Sequence, residues 1–240
     1  MVVQFFHTCL VNEVDPEAGL AAVRVLERLG CQVEVPRAQT CCGQPAYNGG
    51  FHSEAAAAAR HTVEVLDATA GPVIVPSGSC ADMVVHQFPL LLEGEPLAGA
   101  RRVAARTREF SQFVADHWPA GRSFGTVAAT VAYHPSCHLL RGLGIRSEPL
   151  ALLAQVEGVK VAPLADAEEC CGFGGLFSLK HPEISGSMLE RKLTHVLGSG
   201  ADRLVSCDLG CLMHLGGGLH RRGSRLTVQH LSQLLDEALS

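Results

Sequence analysis

The chain has 240 residues, 47% hydrophobic and 18% charged, enough apolar material for a sizeable core, which excludes a disordered chain. A net charge of -5 and a pI near 6.2 give no nucleic-acid footprint, and the pairs Arg101–Arg102 and Arg221–Arg222 read as solvated helix faces. No apolar run reaches bilayer length and "MVVQFFHTCLVNEVD" is not a secretory signal, so the expectation is a cytoplasmic protein with no transmembrane segment.

The elements follow in chain order. Val2–Phe6 is an apolar run that reads as a buried strand ending just before Cys9. "DPEAGLAAVRVLERLG" carries an N-cap Asp15, Pro16 at the first helical position, an apolar stripe and a closing Gly30, which together predict a helix. Cys31–Pro36 alternates as a short strand. After the loop "TCCGQPAYNGG" comes a helix over Ser53–Ala70 with Ser53 as its cap. Pro72–Pro76 is a buried strand, and Cys80 is expected in the turn after it. The second part repeats the series: strand Thr126–Tyr133, helix Ser147–Glu157, strand Val159–Ala162, a loop, helix Pro182–Leu197 and strand Arg203–Ser206. Alternating strands and helices predict an α/β fold with mostly parallel sheets, with cysteines in the loops that follow strands.

The repetition is an internal duplication. Cys9 and Cys137 are 128 residues apart, Cys41–Cys42 and Cys170–Cys171 are 129 apart, and Cys80 and Cys211 are 131 apart. Late in each half "FSQFVADH" (Phe110–His117) matches "LSQLLDEA" (Leu231–Ala238). Four features in one order at a nearly constant offset divide the chain into two homologous halves, 1–120 and 125–240, joined near "PAGRSFG".

Ten cysteines in a reducing compartment point to metal ligation or redox chemistry rather than a disulfide framework. Each half places four: Cys9, Cys41, Cys42 and Cys80, then Cys137, Cys170, Cys171 and Cys211. Cys31 has no counterpart and reads as a small core residue, and Cys207 is one residue off register, an alternative ligand. Four thiolates suit zinc or an iron–sulfur cluster. Structural zinc favours two closely spaced knuckles. A lone cysteine, an adjacent pair and another lone cysteine fit a larger cluster better. Several of the twelve histidines, among them His7, His52, His134, His138, His181 and His214, fall near these cysteines and read as a proton relay or as hydrogen-bonded supports of the loops. No Rossmann fingerprint or P-loop is present.

Two copies of C-xₙ-CCG-xₘ-[S/D]xxC resemble the duplicated cysteine-rich (CCG) domain family, found in the heterodisulfide reductase B subunit, the glycolate oxidase iron–sulfur subunit and the lactate utilization A proteins. "CLVNEVDPEAG", "PSGSCADM", "YHPSCHLLRGLG", "ECCGFGGLFSLK" and "CLMHLGG" resemble the last branch. The resemblance implies an iron–sulfur oxidoreductase subunit taking part in oxidation of L-lactate to pyruvate. It implies iron–sulfur clusters, [4Fe–4S] and one per half, held by the eight paired cysteines. It also implies two other lactate-utilization proteins as partners, one of them ferredoxin-like. The heterodisulfide relative has a fifth cysteine per motif where this chain has Ser77 and Asp208, so an ordinary four-thiolate cluster is the simpler expectation, with those two residues as oxygen ligands or neighbours of ligands. The alternative functions are a disulfide or thiol reductase and a zinc-stabilised interaction module.

Overall fold

The computed structural model describes residues 1–240 and consists of two four-stranded, wholly parallel sheets. The first contains β1 (Val2–Phe5), β2 (Gln32–Glu34), β3 (Val73–Val75) and β4 (Thr107–Glu109) in the order β2-β1-β3-β4. The second contains β5 (Gly125–Tyr133), β6 (Val156–Ala162), β7 (Arg203–Ser206) and β8 (Thr227–His230) in the order β6-β5-β7-β8. The duplication read from the cysteines is thus a duplication of topology.

The inner strands β1, β3 and β7 are buried on both faces, as helix crossovers require, whereas the edge strands β2 and β6 are largely exposed. In β1, Val3 and Phe5 enter a core shared by both halves, while Phe6 just beyond the strand turns to the opposite face with Val73 and Val75 of β3. The second half has a matching outer layer, in which Ala132 and Leu204 pack against Leu189, Leu193, Leu215 and Leu219.

The halves are not separate bodies. The last helix of each half packs on an early helix of the other: Leu231–Leu239 on Pro16–Arg28, and Phe110–His117 on the short Glu148–Leu153. The first contact holds a buried hydrogen bond, Ser232 Oγ donating to the Ala18 carbonyl at 2.7 Å, and an exposed one at its rim, Arg24 Nε donating to Asp236 at 2.8 Å. Its centre is apolar: Leu231, Leu234 and Leu235 join Ala22, Val25 and Leu26 in the shared core. The joint between halves is pinned by Trp118 stacked on Phe124, ring centroids 3.9 Å apart.

Three local expectations are corrected. The helix expected over Ser53–Ala70 runs His52–Asp67 and is preceded by Phe51; the Ser53 hydroxyl bonds the neighbouring Glu54 carboxylate instead of capping. Cys80 lies within a helical turn, Gly78–Asp82, because the Ser77 side chain caps that turn by accepting from the Cys80 N–H. The helix expected over Ser147–Glu157 stops at Leu153, since Val156 and Glu157 already belong to β6. Cys31 lies in the shared core, 8% exposed, as expected of a packing residue.

Candidate metal centre

The strand order places the site. In each sheet the first strand of the half lies beside the third, and the chain leaves these two neighbours in different directions, which opens a crevice at their carboxyl ends. Cys9 follows β1, Cys41–Cys42 follow β2 and Cys80 follows β3. Cys137, Cys170–Cys171 and Cys211 follow β5, β6 and β7. All eight cysteines line one cleft of about 160 Å³ between the halves.

None of the ten thiols is in a disulfide. In the first half the sulfurs form a row. Cys9 Sγ is 3.5 Å from Cys41, and Cys42 Sγ is 3.4 Å from Cys80. Cys41 and Cys42 also contact each other, so the row runs Cys9, Cys41, Cys42, Cys80. The second half repeats the row, with Cys137 beside Cys170 and Cys171 Sγ 3.3 Å from Cys211. The glycine after each pair is left-handed, Gly43 at φ 83° and Gly172 at φ 92°. That turn aims its N–H back at the sulfur two residues earlier: Gly43 N–H donates to Cys41 and Gly172 N–H to Cys170, each at 3.4 Å.

These contacts polarise the thiols. Hydrogen bonds from Cys42, Cys9 and the Gly43 N–H hold the Cys41 thiol down at about 3. Bonds from Cys137, Cys171 and the Gly172 N–H hold Cys170 down at about 2. Their neighbours Cys9, Cys42, Cys137 and Cys171 are pushed up, first by the bond to that same sulfur, then for Cys42 and Cys171 by the bond to Cys80 and Cys211, and by burial. Each row thus favours ionisation of one thiol at the expense of its neighbours, and a metal that binds the row must displace protons.

The donor set fits a soft metal centre: four sulfurs per half, unbonded to one another and gathered at one crevice. A tetrahedral zinc with bonds of about 2.3 Å would hold its four sulfurs roughly 3.8 Å apart on every edge. The first-half sulfurs form an open row instead. The group of potential ligands whose donor atoms all lie within 4.8 Å of one another is His134, Cys171 and Cys211, in the second half.

Ser77 and Asp208 stand on the cleft wall, and their contacts identify them as clamps between the halves. Asp208 caps its own helix, Leu209–Arg221, by accepting from Gly210 N–H at 3.1 Å. Its other oxygen reaches the first half and accepts from Ser79 N–H at 2.9 Å and from the Ser77 hydroxyl at 3.3 Å. Next to it, Gly78 N–H donates to the Cys207 carbonyl at 3.2 Å. Cys207 itself faces away from the cleft, fully buried in the shared core with its sulfur 3.7 Å from the Tyr133 hydroxyl.

The histidines divide. His138 lines the cleft and its Nδ1 is 2.7 Å from Asp82 of the other half, a partner that raises its pKa. His134 is wholly buried beside Cys171 and Cys211. His52 packs edge-on against Tyr47 and is exposed, and His181 lies against Phe177 on the surface. His7 contacts Thr8 and Gln39, and His214 contacts Phe173 and Ser185. No continuous histidine relay joins the two rows. A buried cation near the second row escaped the sequence reading. Lys192 is 0% exposed, and its ammonium donates to the carbonyls of Asp166 and Ala167 at 2.7 and 2.9 Å, bracing the loop before Cys170. Its position on a charged, amphipathic helix gives no sequence sign of burial. No helix is long and apolar enough to cross a membrane.

A family model described as the CCG cysteine-rich domain matches residues 3–84 and 131–216. Lactate utilization protein A of Exiguobacterium sp. is 42% identical over 240 residues, covering 99% of this chain and 98% of that one. Lactate utilization protein A of Geobacillus kaustophilus is 42% identical over 238 residues, covering 98% of this chain and 99% of that one. A hypothetical protein from Helicobacter pylori has a similar fold, with a TM-score of 0.63 at 14% identity; the match takes in all of this chain, which spans 49% of that one. The chain belongs to the lactate utilization protein A family and carries the CCG cysteine-rich domain in two copies.

Proposed function

We propose that this chain is an iron–sulfur electron-transfer subunit of a complex that oxidises L-lactate to pyruvate. Residues 1–120 and 125–240 are the two CCG units. Cys9, Cys41, Cys42 and Cys80 hold one cluster, and Cys137, Cys170, Cys171 and Cys211 hold the other. The observation that carries the reading is the pair of thiol rows opening on one cleft. An adjacent cysteine pair in the middle of a four-sulfur row suits a polynuclear centre, where neighbouring thiolates reach different irons. [4Fe–4S] is the form that four thiolates complete.

Oxidation of lactate to pyruvate releases two electrons and two protons. An iron–sulfur centre supplies one-electron chemistry when bound. The chain's own part is to hold both centres at a common crevice and to shield them, with Cys42, Cys80, Cys171 and Cys211 all buried. The Gly43 and Gly172 N–H groups donate to ligand sulfurs, which stabilises the thiolate form and raises the potential of what it binds. The partners are two further lactate-utilization proteins, one of them ferredoxin-like, and one of them receives or delivers the electrons.

The test is lactate-dependent reduction of an acceptor by the reconstituted complex. Replacing the wild-type chain by Cys42→Ser or by Cys171→Ser should lower turnover in step with the iron lost. Unchanged turnover after loss of iron would move the redox role to the partners.

A further inference from the structure

The two centres are built on equivalent backbone but not on equivalent side chains. Phe6 stands three residues before Cys9, and His134 three before Cys137. Both stand directly after the first strand of their half. Phe6 N–H donates to the Ile74 carbonyl at 2.9 Å, and His134 N–H to the Val205 carbonyl at 2.8 Å, corresponding residues of β3 and β7. Both side chains are 0% exposed. Phe6 packs with Cys42 and Cys80, and His134 lies beside their counterparts Cys171 and Cys211.

A phenyl ring there needs no partner, but an imidazole does. A buried polar group without a hydrogen bond costs roughly 1–3 kcal/mol, yet both ring nitrogens of His134 are buried and unpartnered. One of them lies within 4.8 Å of the sulfurs of both Cys171 and Cys211, and those sulfurs are 3.3 Å apart. Imidazole nitrogen and thiolate together form an ordinary ligand set for iron or zinc.

We infer that His134 supplies a nitrogen ligand to the second-half metal centre in place of one of the four thiolates of that row, so that the two halves hold chemically different centres, all-thiolate in the first and three thiolates with imidazole in the second. The inference rests on the reading of the thiols as metal ligands, but not on which metal they hold. Histidine in place of thiolate raises the potential of an iron–sulfur centre, and the buried ammonium of Lys192 acts in the same direction on that half alone. The second centre is therefore the higher-potential one of the two, the site where an electron shared between them rests.

The experiment uses full-length chain purified anaerobically, first analysed for iron, sulfide and zinc, with ¹⁵N-histidine incorporated. Where iron is found, pulsed electron paramagnetic resonance of the reduced protein should show one strongly coupled histidine nitrogen. It should persist in Cys42→Ser, which damages only the first centre, and vanish in His134→Phe, which restores the residue found at the equivalent place. His134→Asn, smaller and polar, serves as a second variant if the phenylalanine does not fold. Where zinc is found, absorption at the zinc edge should show a nitrogen scatterer that the same variants remove; that outcome overturns the iron–sulfur reading and leaves the ligand in place. Absence of a strongly coupled histidine nitrogen from wild-type protein, or its survival in the His134 variants, would overturn the inference.

Discussion

Asp208→Ala separates a clamp from a ligand. The carboxylate is 5% exposed and accepts three hydrogen bonds, from Gly210 N–H in its own helix and from Ser79 N–H and the Ser77 hydroxyl across the interface. Loss of a helix cap costs about 1 kcal/mol. Loss of bonds to a charged acceptor, leaving the half-buried Ser79 amide without its partner, costs about 1.5–3 kcal/mol more. The sum is about 3 kcal/mol, which in a chain of this length lowers the melting temperature by roughly 6–12 °C. The perturbation should appear in urea and thermal unfolding of the metal-free chain, since no metal takes part in it. Ser77→Ala should cost only about 1 kcal/mol, because Asp208 retains its amide donors. Metal content at saturating iron should be unchanged in both. Normal stability with metal missing from one centre would refute the reasoning and make Asp208 a ligand.

Glu109 and His230 occupy equivalent helix caps with opposite pH behaviour. Burial raises the Glu109 carboxyl from 4.5 to about 7, so its stabilisation is complete below 4.5 and is lost as the pH rises through 7. Burial lowers His230 from 6.5 to about 4, so its contribution is present above 6.5 and is lost as the pH falls through 4. Relative to Glu109→Gln, the wild type should therefore lose about 3 kcal/mol of stability between pH 4.5 and 7, read from denaturant titrations; a difference that does not vary with pH would contradict the assignment. Cys31→Ala and Cys207→Ala should each cost about 1–2 kcal/mol and leave metal content unchanged, as expected of core positions. Loss of half the metal in either would identify a missed ligand.

The legible features were those tied to chemistry or to long periodic segments. The cysteine spacing disclosed the duplication, and Asp15, Pro16 and Gly30 framed the Pro16–Arg28 helix almost to the residue. β4 and β8 escaped because they are largely polar, TRE and TVQH, and lack the apolar run that marks β1, β3 and β7. Ser77 stands where the heterodisulfide relative has a thiol, which points to a metal neighbour, whereas its local role is to cap the turn that carries Cys80. The exchange of terminal helices between halves follows from tertiary packing, and either arrangement leaves the same apolar stripe in the sequence. His134 was one of several histidines near cysteines, and nothing in its neighbours distinguished the one with both nitrogens buried from those on the surface.

The central claim, a separate cluster on each thiol row, is tested most directly by iron, sulfide and zinc analysis of anaerobically purified wild type, Cys42→Ser, Cys171→Ser and the double variant. Serine nearly preserves volume, so the comparison falls on the thiolate as ligand. The account predicts about eight irons and eight sulfides per wild-type chain, about half of that in each single variant and almost none in the double. Zinc in place of iron, or full iron in both single variants, would contradict it.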